Sequence, residues 1–215
     1  MTGGDVVART AARVRELLAG DASGHDWWHV ERVRRLALRL ARQEGADALV
    51  AELAALLHDV ADWKTSGDPH AGARHAREWL GALDVEAGAL EHVAEIVDTL
   101  SFKGAGVPTP MRTLEGKVVQ DADRLDALGA IGIARAFAYG GSRGRALHDP
   151  EAPPVLHASF AQYRGSGGAT LNHFHEKLFL LRDRMNTASA RRIAEERHRY
   201  MEDYVRRFLE EWEGR

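Results

Sequence analysis

From Ala48 to Ala61 the chain is apolar almost without interruption, yet the end of this run carries His58 and Asp59, with Asp62 just beyond. A helix over about Asp47 to Asp62 puts Leu49, Leu53, Leu56, Leu57 and Val60 at helical spacing with an alanine-rich remainder, so it is buried on most sides. On that helix His58 and Asp62 are four apart and share a face, with Asp59 between them around the barrel, and all three reach one cavity. Burying charge without a partner is costly, and a bound cation relieves that cost. Whatever fold forms has to be built around this helix and bring further donors to its polar end.

The rest of the chain supplies helices for that purpose. Val6 to Leu18 is amphipathic, with Val6, Ala11, Val14, Leu17 and Leu18 on one side, and Gly20 to Gly24 ends it. A second helix starts near Asp26 or Trp27, with Asp26 as N-cap, and runs to about Glu44; it buries Val30, Val33, Leu36, Ala37 and Leu40 and exposes Arg32, Arg35, Arg39 and Arg42. Further helices are expected at about His70 to Leu83, Glu86 to Leu100, Met111 or Thr113 to Tyr139, Asn172 to Asn186 and Ala188 to Trp212. In the last, Ile193, Met201, Val205, Phe208 and Leu209 face inward. Gly140 to Gly168, rich in Gly and Pro, has little periodic order and reads as a surface excursion or a lid over a site. Nothing alternates like a strand and no internal repeat is visible. The expectation is one all-α domain over 1–215, a bundle of about seven to nine helices with a loop-rich segment at 140–170.

Composition narrows the partners. A net charge of -3 lacks the basic stripe of a nucleic-acid binder, so the expected partner is a small molecule. With no cysteine, any metal must be held by nitrogen and oxygen. The first residues carry no basic region followed by an apolar core, and no run approaches 18 apolar residues, so a soluble, cytoplasmic protein without membrane contact is expected.

Eleven histidines and fifteen aspartates would produce about one His-Asp pair by chance, and the chain has three. His148-Asp149 falls in the Gly/Pro-rich segment and reads as a turn; His25-Asp26 sits at a helix start where Asp26 caps. Only His58-Asp59 lies in a strongly apolar helix. A divalent metal preferring mixed N/O donors would need about two more ligands from other helices. His29, after Trp27-Trp28, is one candidate, and Asp123, within Gln120-Asp121-Ala122-Asp123-Arg124-Leu125-Asp126, is another.

The order His29, His58-Asp59, Asp123 resembles the signature of the HD-domain metal-dependent phosphohydrolases. The stretches around His25 to Val33, Leu57 to Asp62, Ser101 to Gly104 and Asp121 to Ala127 are similar to the YpgQ/YedJ-like branch, as are Asn172-His173-Phe174 and Glu195-Glu196-Arg197-His198. Some members of that branch split nucleoside triphosphates into monophosphate and pyrophosphate. The resemblance implies that His29, His58, Asp59 and Asp123 are metal ligands. It places Asp62 where many such enzymes carry the acid that orients or deprotonates a water, and His25 is a second candidate for the proton work.

Lys64 and Lys103 are candidate phosphate contacts, joined by Arg124, which equally suits bracing the site through salt bridges, and by Lys177; for Lys177, as for the further cations Arg191, Arg192 and Arg197, a solvated helix face is the commoner setting. Trp27, Trp28 and Phe102 suit either base stacking or the core. Asp126, on the face of Asp123, suits a supporting role, and Asp121 a surface or helix-pairing one. Dinuclear relatives carry extra histidines after the HD helix; His70, His75 and His92 do not stand in that context, so one metal is expected. Mn²⁺ is the first choice among Mn²⁺, Mg²⁺, Ni²⁺, Co²⁺, Fe²⁺ and Zn²⁺. The implied activity is nucleotide pyrophosphohydrolysis by a monomer or homodimer. The alternatives are a nucleoside monophosphatase or phosphodiesterase, or a nonenzymatic nucleotide-binding regulator.

Overall fold

The computed structural model describes residues 1–20, 26–60, 68, 70–102, 104–156 and 167–215. Among the described residues there are nine α-helices, one 3-10 segment and no strand, the all-α fold expected. The helices are α1 (Gly3–Leu17), α2 (Trp27–Glu44), α3 (Ala48–Leu57), α4 (Ala71–Ala82), α5 (Ala87–Thr99), α6 (Leu114–Asp126), α7 (Gly129–Ser142), α8 (Asn172–Glu176) and α9 (Ala188–Trp212), with the 3-10 segment at Leu178–Arg184. The chain divides into two compact units, Met1–Ser101 with Thr109–Asp123, and Phe102–Pro108 with Arg124–Arg215.

The first unit is built on α3. Val50, Ala51, Leu53, Ala54, Ala55, Leu56 and Leu57 are all buried, and α1, α2 and α5 pack around them. The small alanines let neighbouring helices approach, while the leucines supply most of the apolar area. Asp26 caps α2 by accepting the His29 N–H, and Asp47 caps α3 by accepting from Leu49 and Val50. The polar side of α2 also takes part in packing: Arg34 donates to Glu31 on its own helix and to Glu52 on α3, and Arg35 donates to the same Glu31. In α1, Leu17 is exposed and Thr10 is buried in its place. The Thr10 hydroxyl donates to the Val6 carbonyl and accepts from the Trp79 indole, so burial leaves no polar atom unpaired.

In the second unit α7 packs against α9, whose bounds match the expected Ala188 to Trp212. Phe137, Phe174, Tyr204, Phe208 and Trp212 form a connected aromatic cluster between them. Three expectations are corrected here. The single helix expected up to Tyr139 breaks between Asp126 and Gly129, where Gly129 adopts φ +71 and a Cβ would stand 3.0 Å from Arg197 Cγ. The helix then continues to Ser142, so Gly140 and Gly141 belong to it; Gly140 lies against Thr170 with no room for a side chain. The helix expected over 172–186 is two pieces, separated by non-helical backbone at Lys177. Part of the loop-rich segment, 157–166, falls outside the described residues.

Candidate metal centre

The HD pair stands at the end of α3, not deep within it. The helix stops at Leu57, and His58 is its C-cap. His58 Nδ1 lies 2.8 Å from the Ala55 carbonyl, the oxygen that a continuing helix would offer to the Asp59 N–H. The side chain thus competes with the backbone ladder, and the chain leaves the helix in a turn through Asp59 and Val60. Because a carbonyl only accepts, Nδ1 must carry the hydrogen, and the lone pair of neutral His58 is left on Nε2. The carbonyl end of α3 also carries partial negative charge, which favours a cation beside it.

His29 reaches the same point from the first turn of α2. Its Nε2 lies 3.2 Å from His58 Nε2, 3.3 Å from Asp59 Oδ2 and 3.6 Å from Asp123 Oδ1. His58 Nε2 lies 3.7 Å from Asp59 Oδ2 and 3.9 Å from Asp123 Oδ1. The imidazoles are sealed, with 0% and 2% of their side-chain surface exposed, while Asp59 retains 12% and Asp123 31%. Polar access is therefore from the carboxylate side.

Donors bound about 2.1 Å from one ion at angles of 90–120° stand about 3.0–3.6 Å apart, close to the spacing found. Two neutral imidazoles with two carboxylates suit a divalent, borderline metal and require no thiolate. Among the described residues His29, His58 and Asp59 form a group able to hold a divalent ion, with Asp123 alongside.

The remaining expected residues divide in three. His25, Asp62, Lys64 and Lys103 lie outside the described residues. Arg124 and Lys177 belong to the second unit: Arg124 donates to the Arg184 carbonyl, and the Lys177 ammonium sits 5.2 Å above the Phe102 ring. Arg184, on the same ring at 5.0 Å, also donates to the Gly104 and Ala105 carbonyls. Of the other cations, Arg191 donates to the Met185 and Asn186 carbonyls, Arg197 donates to Leu125, and Arg192 is exposed.

The flanking carboxylates separate clearly. Asp126, 2% exposed, pairs with Arg135 at 3.1 Å. Asp121 is fully buried, which corrects the surface reading of it. Asp149 accepts the Glu151 N–H in the expected turn, and Trp28 is exposed beside the half-buried Trp27.

Two contributions escape a reading of the sequence. The Ala55 carbonyl that fixes the His58 tautomer is backbone and leaves no mark in residue identity. The Glu31–Arg34–Glu52 bridge holding α2 on α3 does leave one, since Glu31 precedes Arg34 by three and Arg35 by four.

Comparison with known proteins bears on the same residues. The HD domain family matches residues 27–128, which include all four donors. YpgQ of Bacillus subtilis is 38% identical over 203 residues, 94% of this chain and 91% of that protein. Its crystal structure in complex with ADP superposes with a TM-score of 0.72 at 35% identity, covering 94% of this chain and 97% of that one. A protein from Lactobacillus plantarum gives a TM-score of 0.89 at 40% identity, and an HD-superfamily hydrolase from Bacillus thuringiensis gives 0.77 at 45%, both over 100% of the two chains. With its histidines and aspartates gathered at the end of α3, the chain belongs to the HD-domain family of metal-dependent phosphohydrolases and is homologous to YpgQ.

Proposed function

We propose that the chain is a nucleotide phosphohydrolase that splits a (d)NTP into (d)NMP and pyrophosphate, using one divalent ion, Mn²⁺ first among the candidates, held by His29, His58, Asp59 and Asp123. The observation that carries this reading is the convergence of the two imidazole Nε2 atoms and two carboxylate oxygens, with separations of 3.2, 3.3, 3.6, 3.7 and 3.9 Å. The ADP bound in the YpgQ crystal supports a nucleotide as ligand.

A divalent ion in such a site polarises a phosphoryl oxygen and lowers the pKa of a water it holds. The residues of the chain do the rest. The buried imidazoles keep the inner side of the site dry, and the more open Asp123 faces the side from which substrate enters. Asp62 orients the attacking water and takes its proton, with His25 sharing that work. The water oxygen bonds to the α-phosphorus, the bond from that phosphorus to the α–β bridging oxygen breaks, and pyrophosphate leaves. Lys64, Lys103, Arg124 and Lys177 neutralise the phosphates, the leaving group above all.

Assaying NTPs, dNTPs, NMPs and cyclic dinucleotides with Mn²⁺, for the wild type and His58→Ala, tests the reading. Release of pyrophosphate from triphosphates, lost in the variant, is expected. Turnover of monophosphates or cyclic dinucleotides alone would replace the substrate, and nucleotide binding with no hydrolysis of any of them would remove the catalytic reading.

A further inference from the structure

The polar end of α3 is the metal centre; its other end is tied to a second ligand-bearing helix. Asp47, the cap of α3, donates its backbone N–H to Glu115 Oε1 at 2.9 Å, and Glu115 lies in the first turn of α6, the helix that carries Asp123. Glu115 Oε2 is 3.7 Å from His92 Nε2, which is itself 2.8 Å from Thr113 Oγ1. Thr113 Oγ1 accepts the Gly116 N–H and so caps α6. At 1.5 Å per residue, Asp47 stands roughly 16 Å before His58 along α3, and Glu115 roughly 12 Å before Asp123 along α6. Two stiff helices thus start at one hydrogen-bonded knot and end with Asp59 and Asp123 at 3.3 and 3.6 Å from the same His29 nitrogen.

We infer that Glu115 is a positioning residue for the metal centre: by holding the backbone N–H of the α3 cap it sets the register of α6 against α3, and through it the place of Asp123 beside His58 and Asp59. This rests on the metal-centre reading above. The Arg34 bridge fixes α2 to α3, and Gln120 ties the middle of α6 to the Leu100 and Thr109 carbonyls. Glu115 adds the contact between the starts of α3 and α6. Slippage there moves one carboxylate donor and leaves the other three in place, so metal affinity should fall while the helices remain folded.

Titration of the metal-free chain with Mn²⁺ alone, followed by electron paramagnetic resonance at a temperature well below each variant's melting point, tests this. Glu115→Ala should bind Mn²⁺ about threefold to fivefold more weakly, less than the loss on removing Asp123 itself and below the usual effect of residues that orient ligands directly. Glu115→Gln keeps an acceptor for the Asp47 N–H and should restore most of the affinity. Asp47→Ala removes the α3 cap but keeps the backbone N–H held by Glu115, and should bind Mn²⁺ like the wild type despite a lower melting point. Unchanged affinity in Glu115→Ala, equal losses in Glu115→Ala and Glu115→Gln, or an equal loss in Asp47→Ala would each overturn the inference. A wild-type chain that binds no Mn²⁺ would instead overturn the metal-centre reading beneath it.

Discussion

His58 has one nitrogen occupied by the Ala55 carbonyl and the other facing His29, Asp59 and Asp123. That division of labour makes it the most committed of the four proposed donors, and Asp123, the most exposed, the least. His58→Ala and Asp59→Ala should each weaken Mn²⁺ binding by more than about 100-fold, and Asp123→Ala by about tenfold, as isothermal titration can show; the order inverts if Asp123 dominates. His58 and Asp59 were legible from residue type alone, because charge in an apolar run needs a reason. His29 and Asp123 are only candidates by residue type, and it is the family resemblance that singles them out, since their own surroundings do not distinguish them from a cap-side histidine and one of three aspartates on a helix. Of the two settings that suit Asp121, burial removes the surface and leaves helix pairing, a choice decided by neighbours distant in sequence.

At the level of elements, the junction of α2 and α3 depends on Arg34. Its guanidinium holds the Glu31 carboxyl below the usual carboxylate range, with Arg35 adding to the effect, against a burial that pushes the other way. A depressed folded value means that this stabilisation is fully present above the unfolded carboxylate pKa, about 4.3, and is lost as pH falls through the folded one. Arg34→Ala should cost about 1–2 kcal/mol at neutral pH and flatten the acid limb of the denaturation profile, both read by urea melts. An acid limb as steep as the wild type's would contradict the pairing.

The start of α2 is legible in the sequence because capping by Asp26 is local, and α3 and α9 start at or next to the expected positions with Asp47 and Thr187 as caps. The break at Gly129 could not, since apolar spacing runs through it and the crowding that requires its positive φ comes from Arg197, far along the chain. Gly129→Ala should lower stability by about 1–2 kcal/mol, and a neutral effect in thermal melts would show that the strain is absent.

Over the whole chain, helical periodicity without strand alternation was enough to give the all-α class, while the division into two compact units depends on contacts between distant segments. Within the second unit burial of the His173 ring pushes its pKa down to about 3, with the positive charges of Lys177 and Arg145 adding to the effect. The unfolded chain therefore takes up a proton near pH 6.5 that the folded one refuses. Its contribution is complete above that value and shrinks as pH falls toward 3, by about 3 kcal/mol at pH 4.5. His173→Gln should remove this part of the acid sensitivity in denaturation curves at pH 7 and 4.5; an unaltered difference between the two would show that the ring titrates normally.

The central claim is hydrolytic attack on the α-phosphorus of a nucleotide at the His29–His58–Asp59–Asp123 centre, and isotope placement tests it most directly. A dNTP is hydrolysed by the Mn²⁺-loaded protein in ¹⁸O-water and the products are resolved by ³¹P NMR. One ¹⁸O in the nucleoside monophosphate beside unlabelled pyrophosphate is the predicted result; label in inorganic phosphate or pyrophosphate, or an intact triphosphate, would contradict it.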